Sequence, residues 1–237
     1  APNQMLRVRV KAELVNSQSP SWSYRVTDNT NGNAIYVMDG SLASTGSQNS
    51  TRNLHAASGW GGSSYTAPRT AAPFAILDAI YLGNQRLLAA GNNRDLPPLE
   101  LRWSTKNVAA SGDVTHGEIE TSSFDGSAIY ILGDADNDSD EYDSHVLLHE
   151  WGHYIEANLF RSDSLGGDHN DGQILDIRVA MSEGWANAFS AMMLENPNYA
   201  DSSGAGQASG FTFNVSRRSR TNKGYYSEGS VASVLFN

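Results

Sequence analysis

The stretch His149-Glu150-Trp151-Gly152-His153 decides how this chain is read. It has the form H-E-x-x-H and is flanked by apolar residues, with Val146, Leu147 and Leu148 before it and Ile155 after. Residues four apart on an α-helix lie one above the other on the same face. Both imidazoles can then reach one metal ion, with Glu150 held beside it. Zinc takes nitrogen ligands in a tetrahedron, and a catalytic zinc keeps one position open for water. The motif therefore offers two ligands, His149 and His153, and a general base, Glu150, for metal-assisted hydrolysis. It leaves a third protein ligand to be found.

Working outward on the N-terminal side, Gly133 to Glu141 carries acids at every second position: Asp134, Asp136, Asp138 and Asp140. That alternation is like the first half of a calcium loop. It departs from the EF-hand, since Ser139 stands where glycine belongs and His145 where the twelfth-position Glu would be. The alternatives are a calcium site and a solvated acidic loop that caps the next helix, with Asp143 or Ser144 as its N-cap. Before this loop, Ala128 to Leu132 is apolar throughout and reads as a buried strand. Leu99 to Trp103 and Gly117 to Phe124 are further extended segments. Pro73 to Ala90 has an apolar stripe at helical spacing, with Pro73 in the first turn and Gly91 past the end. Residues 1–50 form a small β-rich region, in which Met5 to Val15 alternates as a half-buried strand with Leu6, Val8 and Val10 on one face.

On the C-terminal side the motif helix runs from Ser144 to Phe160. A loop from Arg161 to Gly172, containing His169, leads to a second helix from Asp176 to Glu195. Asp201 to Gly210 is rich in Ser and Gly and reads as flexible loop. A last helical pattern starts at Tyr226 and is unfinished at Asn237, so a domain over residues 65–237 is expected to continue beyond the chain's end.

Composition narrows the function. With 39% hydrophobic and 18% charged residues the chain is globular. A formal charge of −10, with no basic tract, argues against nucleic acid as the main partner. No apolar run is long enough to span a bilayer. There is no cysteine, so any metal site must be built from His, Asp or Glu. The Ser, Asn, Gly and Asp content of the loops fits a secreted or cell-surface protein.

The third ligand has several candidates. A metzincin needs H-E-x-x-H-x-x-G-x-x-H, and here Glu156 and Leu159 occupy the Gly and last His positions, so that pattern fails. His169 sits in a loop that nothing in the sequence positions. Glu183 lies on the second helix in Ala180-Met181-Ser182-Glu183-Gly184-Trp185-Ala186, with a glycine beside it that would let two helices approach closely.

An H-E-x-x-H helix followed by a helical Glu in a Ser-Glu-Gly-Trp-Ala setting resembles the gluzincin metallopeptidases, the thermolysin-like group. Phe124-Asp125-Gly126-Ser127 and Ile129-Tyr130-Ile131-Leu132-Gly133-Asp134 resemble that group's edge strand, inner strand and acidic loop. The resemblance covers roughly residues 70–195. It implies an α+β, zincin-like catalytic domain: a mixed sheet with a backing helix, an active-site helix and a helix carrying the Glu ligand. It implies zinc held by His149, His153 and Glu183, Glu150 as base, and a peptide or protein substrate added to an edge strand at Glu120, Thr121, Ser122, Ser123 and Phe124. Two departures stand out. Asn187 occupies the position of an Asp that orients a zinc histidine in that group, and no His follows His169. Tyr226 is the expected oxyanion donor, since other gluzincins use a tyrosine, with His169 and Arg178 as competitors. The reading is a zinc-dependent endopeptidase. The rival is a calcium-stabilised surface or matrix-binding module carrying a degenerate zincin domain.

Overall fold

The computed structural model describes residues 2–170, 172–217 and 221–237; Ala1, and Asp171 in the loop after the motif helix, fall outside them. Short strands come first: β1 (Met5–Leu6), β2 (Arg9–Lys11), β3 (Glu13–Asn16), β4 (Trp22–Asp28), β5 (Ala34–Ile35), β6 (Val37–Asp39) and β7 (Ala43–Ser44). Helix α1 (Ala72–Ala89) follows, then β8 (Leu99–Trp103), β9 (Ser123–Phe124), β10 (Ala128–Ile131), β11 (Gly133–Asp134) and β12 (Asp138–Ser139). The chain closes with α2 (Ser144–Leu159), α3 (Ile177–Leu194), the hairpin β13 (Asn198–Ser203) and β14 (Ser209–Asn214), and α4 (Glu228–Phe236). No helix among the described residues is long and apolar enough to cross a membrane.

The main sheet has the order β3-β4-β8-β10-β9, with β5 also paired to β4. Its centre is parallel, β4 with β8 and β8 with β10, while β3 and β9 run antiparallel to their neighbours. The sheet is therefore mixed, and β9 is one of its edges. Tyr24, Val26, Leu99, Leu101, Ile129 and Ile131 from this sheet bury against Ile76 and Ile80 of α1 and Leu148, Trp151 and Ile155 of α2. The fold is the α+β, zincin-like arrangement expected, but strands β3 and β4 of the N-terminal region are built into the same sheet and core.

Met5 to Val15 is not one half-buried strand. It breaks into β1, β2 and β3, which pair with β7, β6 and β4 respectively. Leu6 and Val10 are exposed, because the ladders of β1 and β2 are separate two-stranded ribbons off the main sheet. Asp201 to Gly210 is not a flexible loop either. It forms the closed end of the β13–β14 hairpin, held by the pairs Asp201↔Phe211, Ser202↔Gly210 and Ser203↔Ser209.

The helix ends follow local chemistry. Pro73 lies in the first turn of α1, and Gly91, at φ +92°, ends it through bonds from Gly91 N to Leu88 O and Asn92 N to Leu87 O, both 3.0 Å. The Asp176 carboxylate caps α3 at Arg178 N. Asp143 takes the cap position of α2 without capping it: its carboxylate accepts instead from the amide (2.8 Å) and hydroxyl (2.7 Å) of Ser202 on β13. The start of α2 is tied to the sheet by Glu141, buried with Arg69 at 2.6 Å and accepting from Trp103 Nε1 at 3.2 Å.

Helices α2 and α3 meet at Gly152, where an added Cβ would lie 3.1 Å from Phe189 and 3.4 Å from the Ala186 Cα. Gly184, expected to serve that contact, faces α4. A Cβ there would lie 2.6 Å from Val231 Cβ and 2.7 Å from the Glu228 carbonyl oxygen.

The acidic loop folds as the β11–β12 hairpin, with Asp134 opposite Asp138. Asp134 Oδ1 accepts from the Asp136 amide at 3.1 Å, and neither residue joins a carboxylate group. Asp138 and Asp140 instead converge with Asp201 of β13, ligand oxygens of all three lying within 4.8 Å. Burial, with Asp138 and Asp143 nearby, pushes the Asp201 carboxyl up to about 7.

Two outcomes follow. Gly184→Ala must move α4 or leave a clash, and is expected to cost about 1–3 kcal/mol in urea unfolding; an unchanged midpoint would refute the close contact. Unfolded carboxylates titrate near pH 4, so between about pH 4 and 7 the folded chain binds more protons, and Asp201 destabilises it increasingly as pH rises. Without added divalent cations, Asp201→Asn should raise the melting temperature by roughly 2–4 °C at pH 8, and the gain should vanish near pH 4.

Candidate active site

One face of α2 carries His149 and His153, and α3 brings Glu183 against them. All three are largely withdrawn from solvent, Glu183 to 7% exposure. His149 Nε2 lies 3.2 Å from Glu183 Oε2, His153 Nε2 lies 3.3 Å from the same oxygen, and the two Nε2 atoms are 3.2 Å apart. In a tetrahedron with metal–ligand bonds of about 2.0–2.1 Å, ligand atoms sit about 3.4 Å from one another. The three atoms thus already form the face of a zinc tetrahedron. His169, the other candidate ligand, falls outside this tight group.

Each ligand is held from behind. His149 Nδ1 donates to Asn187 Oδ1 at 3.1 Å, which leaves Nε2 free for a metal. Asn187 therefore makes the bond that an Asp makes in the group the sequence resembles. His153 Nδ1 lies 3.2 Å from Ser182 Oγ and 3.8 Å from Glu156 Oε2, and Ser182 Oγ donates to Glu156 at 2.6 Å. Sequence reasoning missed Ser182 and Glu156 in this role. The signal available was their spacing: Glu156 is three residues after His153 on α2, and Ser182 immediately precedes Glu183.

The charges match the geometry. Burial alone would lower His153, but hydrogen bonds to Glu156 and Glu183 raise it to about 10. Burial alone would raise Glu183, yet the bonds and charges of His149 and His153 hold its carboxyl far below the usual carboxylate range. A divalent cation at this point replaces shared protons, so metal binding releases them.

Glu150 is 9% exposed. Its Oε1 lies 3.9 Å from His149 Nε2, and its Oε2 accepts from the Phe124 amide at 2.8 Å. Burial raises its pKa, opposed by the two histidines. The Phe124 bond ties Glu150 to the outer edge of β9. Glu120, Thr121, Ser122, Ser123 and Phe124 line one cleft together with His149, Glu150 and His153. Ser122 is turned inward: its hydroxyl donates to Asp140 and accepts from Leu132 N at 2.9 Å.

The structure does not bring Tyr226 to the ligands. Its hydroxyl donates to the Lys223 carbonyl at 3.2 Å, and Tyr225 is 74% exposed. Arg178 is engaged with Asp176 at the exposed start of α3. His169 comes in instead. Its Nε2 is 3.2 Å from Glu183 Oε2 and its Nδ1 2.7 Å from Glu228 Oε2. The bond to Glu228 raises the His169 pKa. Glu228 is buried at the start of α4, the helix that Gly184 admits. Nothing local in the sequence pairs residues 169 and 228; packing of α4 on α3 does.

Among known proteins, no curated sequence matches the chain. Residues 95–237 match the family described as Mycolysin C-terminal domain. That span is more than half of the chain and carries β8 to β14, both ligand helices and α4. With the match covering the whole His149–His153–Glu183 group, the chain belongs to the mycolysin C-terminal domain family and is a zincin of the H-E-x-x-H-plus-Glu, gluzincin type.

Proposed function

We propose that the chain is a zinc-dependent endopeptidase. The observation that carries this reading is the convergence of His149, His153 and Glu183 at tetrahedral spacing, with Glu150 between them and the free edge of a strand. His149, His153 and Glu183 would hold the ion. Bound zinc supplies a Lewis acid and lowers the pKa of water at its open position. The edge of β9 pairs with an extended peptide and lays its backbone across the cleft. Glu150 takes the proton of the attacking water and later passes it to the departing amine. His169, steadied by Glu228, donates from Nε2 to the oxygen that gains charge as the carbonyl becomes tetrahedral. Only chain groups fixed before reaction take part, and their cost of ordering is met on folding.

Glu150→Gln should keep about one zinc per chain and lower kcat on casein or a peptide by about 10²–10⁴-fold, measured by metal analysis and turnover of the same preparation. Cleavage unaffected by the change would sink the mechanism. Bound zinc with no cleavage of any protein would return the reading to a binding module. For His169→Ala, kcat is expected to fall roughly 10²-fold with little change in KM or zinc content, and Glu228→Gln should act in the same direction by less. An unaltered kcat in His169→Ala would remove it from the mechanism.

A further inference from the structure

The cleft continues past the catalytic groups in a second lobe. His149 and Glu150 line this lobe too, together with Val146, which lies three residues before His149 on α2. Its far wall is one face of the β13–β14 hairpin. Tyr199 and Asp201, two apart on a strand, point to the same side, and they stand opposite Phe213 and Phe211 respectively. Asp138 and Asp140 complete the wall.

The lobe gathers carboxyl groups without a cationic partner among the described residues. Ligand oxygens of Asp138, Asp140 and Asp201 lie within 4.8 Å of one another. Asp140 is 2% exposed, and its Oδ1 has no hydrogen-bond partner; Asp138 Oδ1 has none either. Ser122 occupies only the other oxygen of Asp140. Among the described residues no Lys, Arg or His pairs with any of the three. Withdrawing carboxylates from water without pairing them is costly, so the lobe is built for an arriving cation.

The aromatic residues indicate which cation. The Tyr199 ring stacks on Phe213 at 4.8 Å and on Phe211 at 6.3 Å, with interplanar angles of 17° and 9°. Phe211 remains 54% exposed. A metal ion needs oxygen ligands and gains nothing from flat hydrocarbon walls. A lysine or arginine side chain needs both, since its methylene stem packs on apolar surface and its charged head on π faces and carboxylates.

We propose that this lobe is a specificity subsite that takes the Lys or Arg side chain of a peptide residue beside the scissile bond. It rests on the peptidase reading and names the substrate class for it. The test uses quenched peptides identical except at one position, which carries Arg, Lys or norleucine and is moved along the sequence. At one position beside the cleaved bond, kcat/KM for Arg or Lys should exceed that for norleucine by roughly tenfold or more, and the advantage should shrink with salt. Asp201→Asn should bring the ratio toward one. A ratio is unaffected by partial loss of folded protein.

The same peptides, fluorescein-labelled, are also bound to Glu150→Gln with and without Asp201→Asn and followed by anisotropy. Equal binding of Arg and norleucine peptides, or an Arg preference that survives Asp201→Asn, overturns the proposal. An Asp201-dependent Arg preference in binding, with no peptide cleaved by the wild type, upholds the subsite and overturns the peptidase reading. Elemental analysis showing a calcium ion lost with Asp201→Asn, whose presence abolishes the Arg preference, assigns the lobe to metal and overturns the subsite.

Discussion

Two imidazoles and a carboxylate are taken out of water where α2 meets α3, and the rest of the structure serves that burial. A charged or polar group can be withdrawn from solvent only if other groups satisfy it. Here Glu183 is satisfied by His149 and His153, and these in turn by Asn187, Ser182 and Glu156. Such a network tolerates little error in distance, so the helices must cross at a fixed separation. The missing side chain of Gly152 against Ala186 and Phe189 sets that separation. The apolar face of α2, with Leu148, Trp151 and Ile155 on the main sheet, sets its rotation.

The sheet then does two things for the site. Its centre anchors α2, and its edge strand β9 offers one backbone amide, that of Phe124, to Glu150. Glu150, the proposed base, is thereby fixed to the strand proposed to align a peptide. A third helix completes the arrangement. Helix α4 comes within reach of α3 because Gly184 has no side chain, and it delivers Glu228 to His169. Glu183, Glu150 and His169 are thus held by three separate packing contacts.

Charge is distributed unevenly around this centre. On the ligand side, negative and positive groups are closely matched. In the lobe beyond Val146 the carboxylates of Asp138, Asp140 and Asp201 are matched by nothing among the described residues. Burial, with repulsion from neighbouring carboxylates that include Asp143, raises the pKa of all three. The formal charge of −10 counts all three as ionised, whereas their raised pKa values keep them partly protonated until a cation arrives.

Much of this could be read along the chain. The spacing of His149 and His153 is a property of one helix, and helical periodicity also gave α1, α3 and most of α4. Pro73, Gly91 and Asp176 marked helix ends because capping is local chemistry. Glu183 was identifiable by its setting once the motif was known, and the buried strand at residues 128–131 by its unbroken apolar run. What the tertiary structure alone decided concerns residues far apart in sequence. Leu6, Val8 and Val10 alternate as a core strand does, yet the partners of β1 and β2 leave Leu6 and Val10 uncovered. Asp134 and Asp136 alternate with Asp138, but neither joins its carboxylate group, and Asp201 arrives from another hairpin. His169 had no visible support until α4 carried Glu228 to it, and Tyr226 looked apt until its hydroxyl was found on Lys223. Periodicity and capping act over a few residues and leave a mark in the sequence. Pairing of distant groups depends on how helices and sheets pack, and that is set by side-chain volume and burial across the whole core.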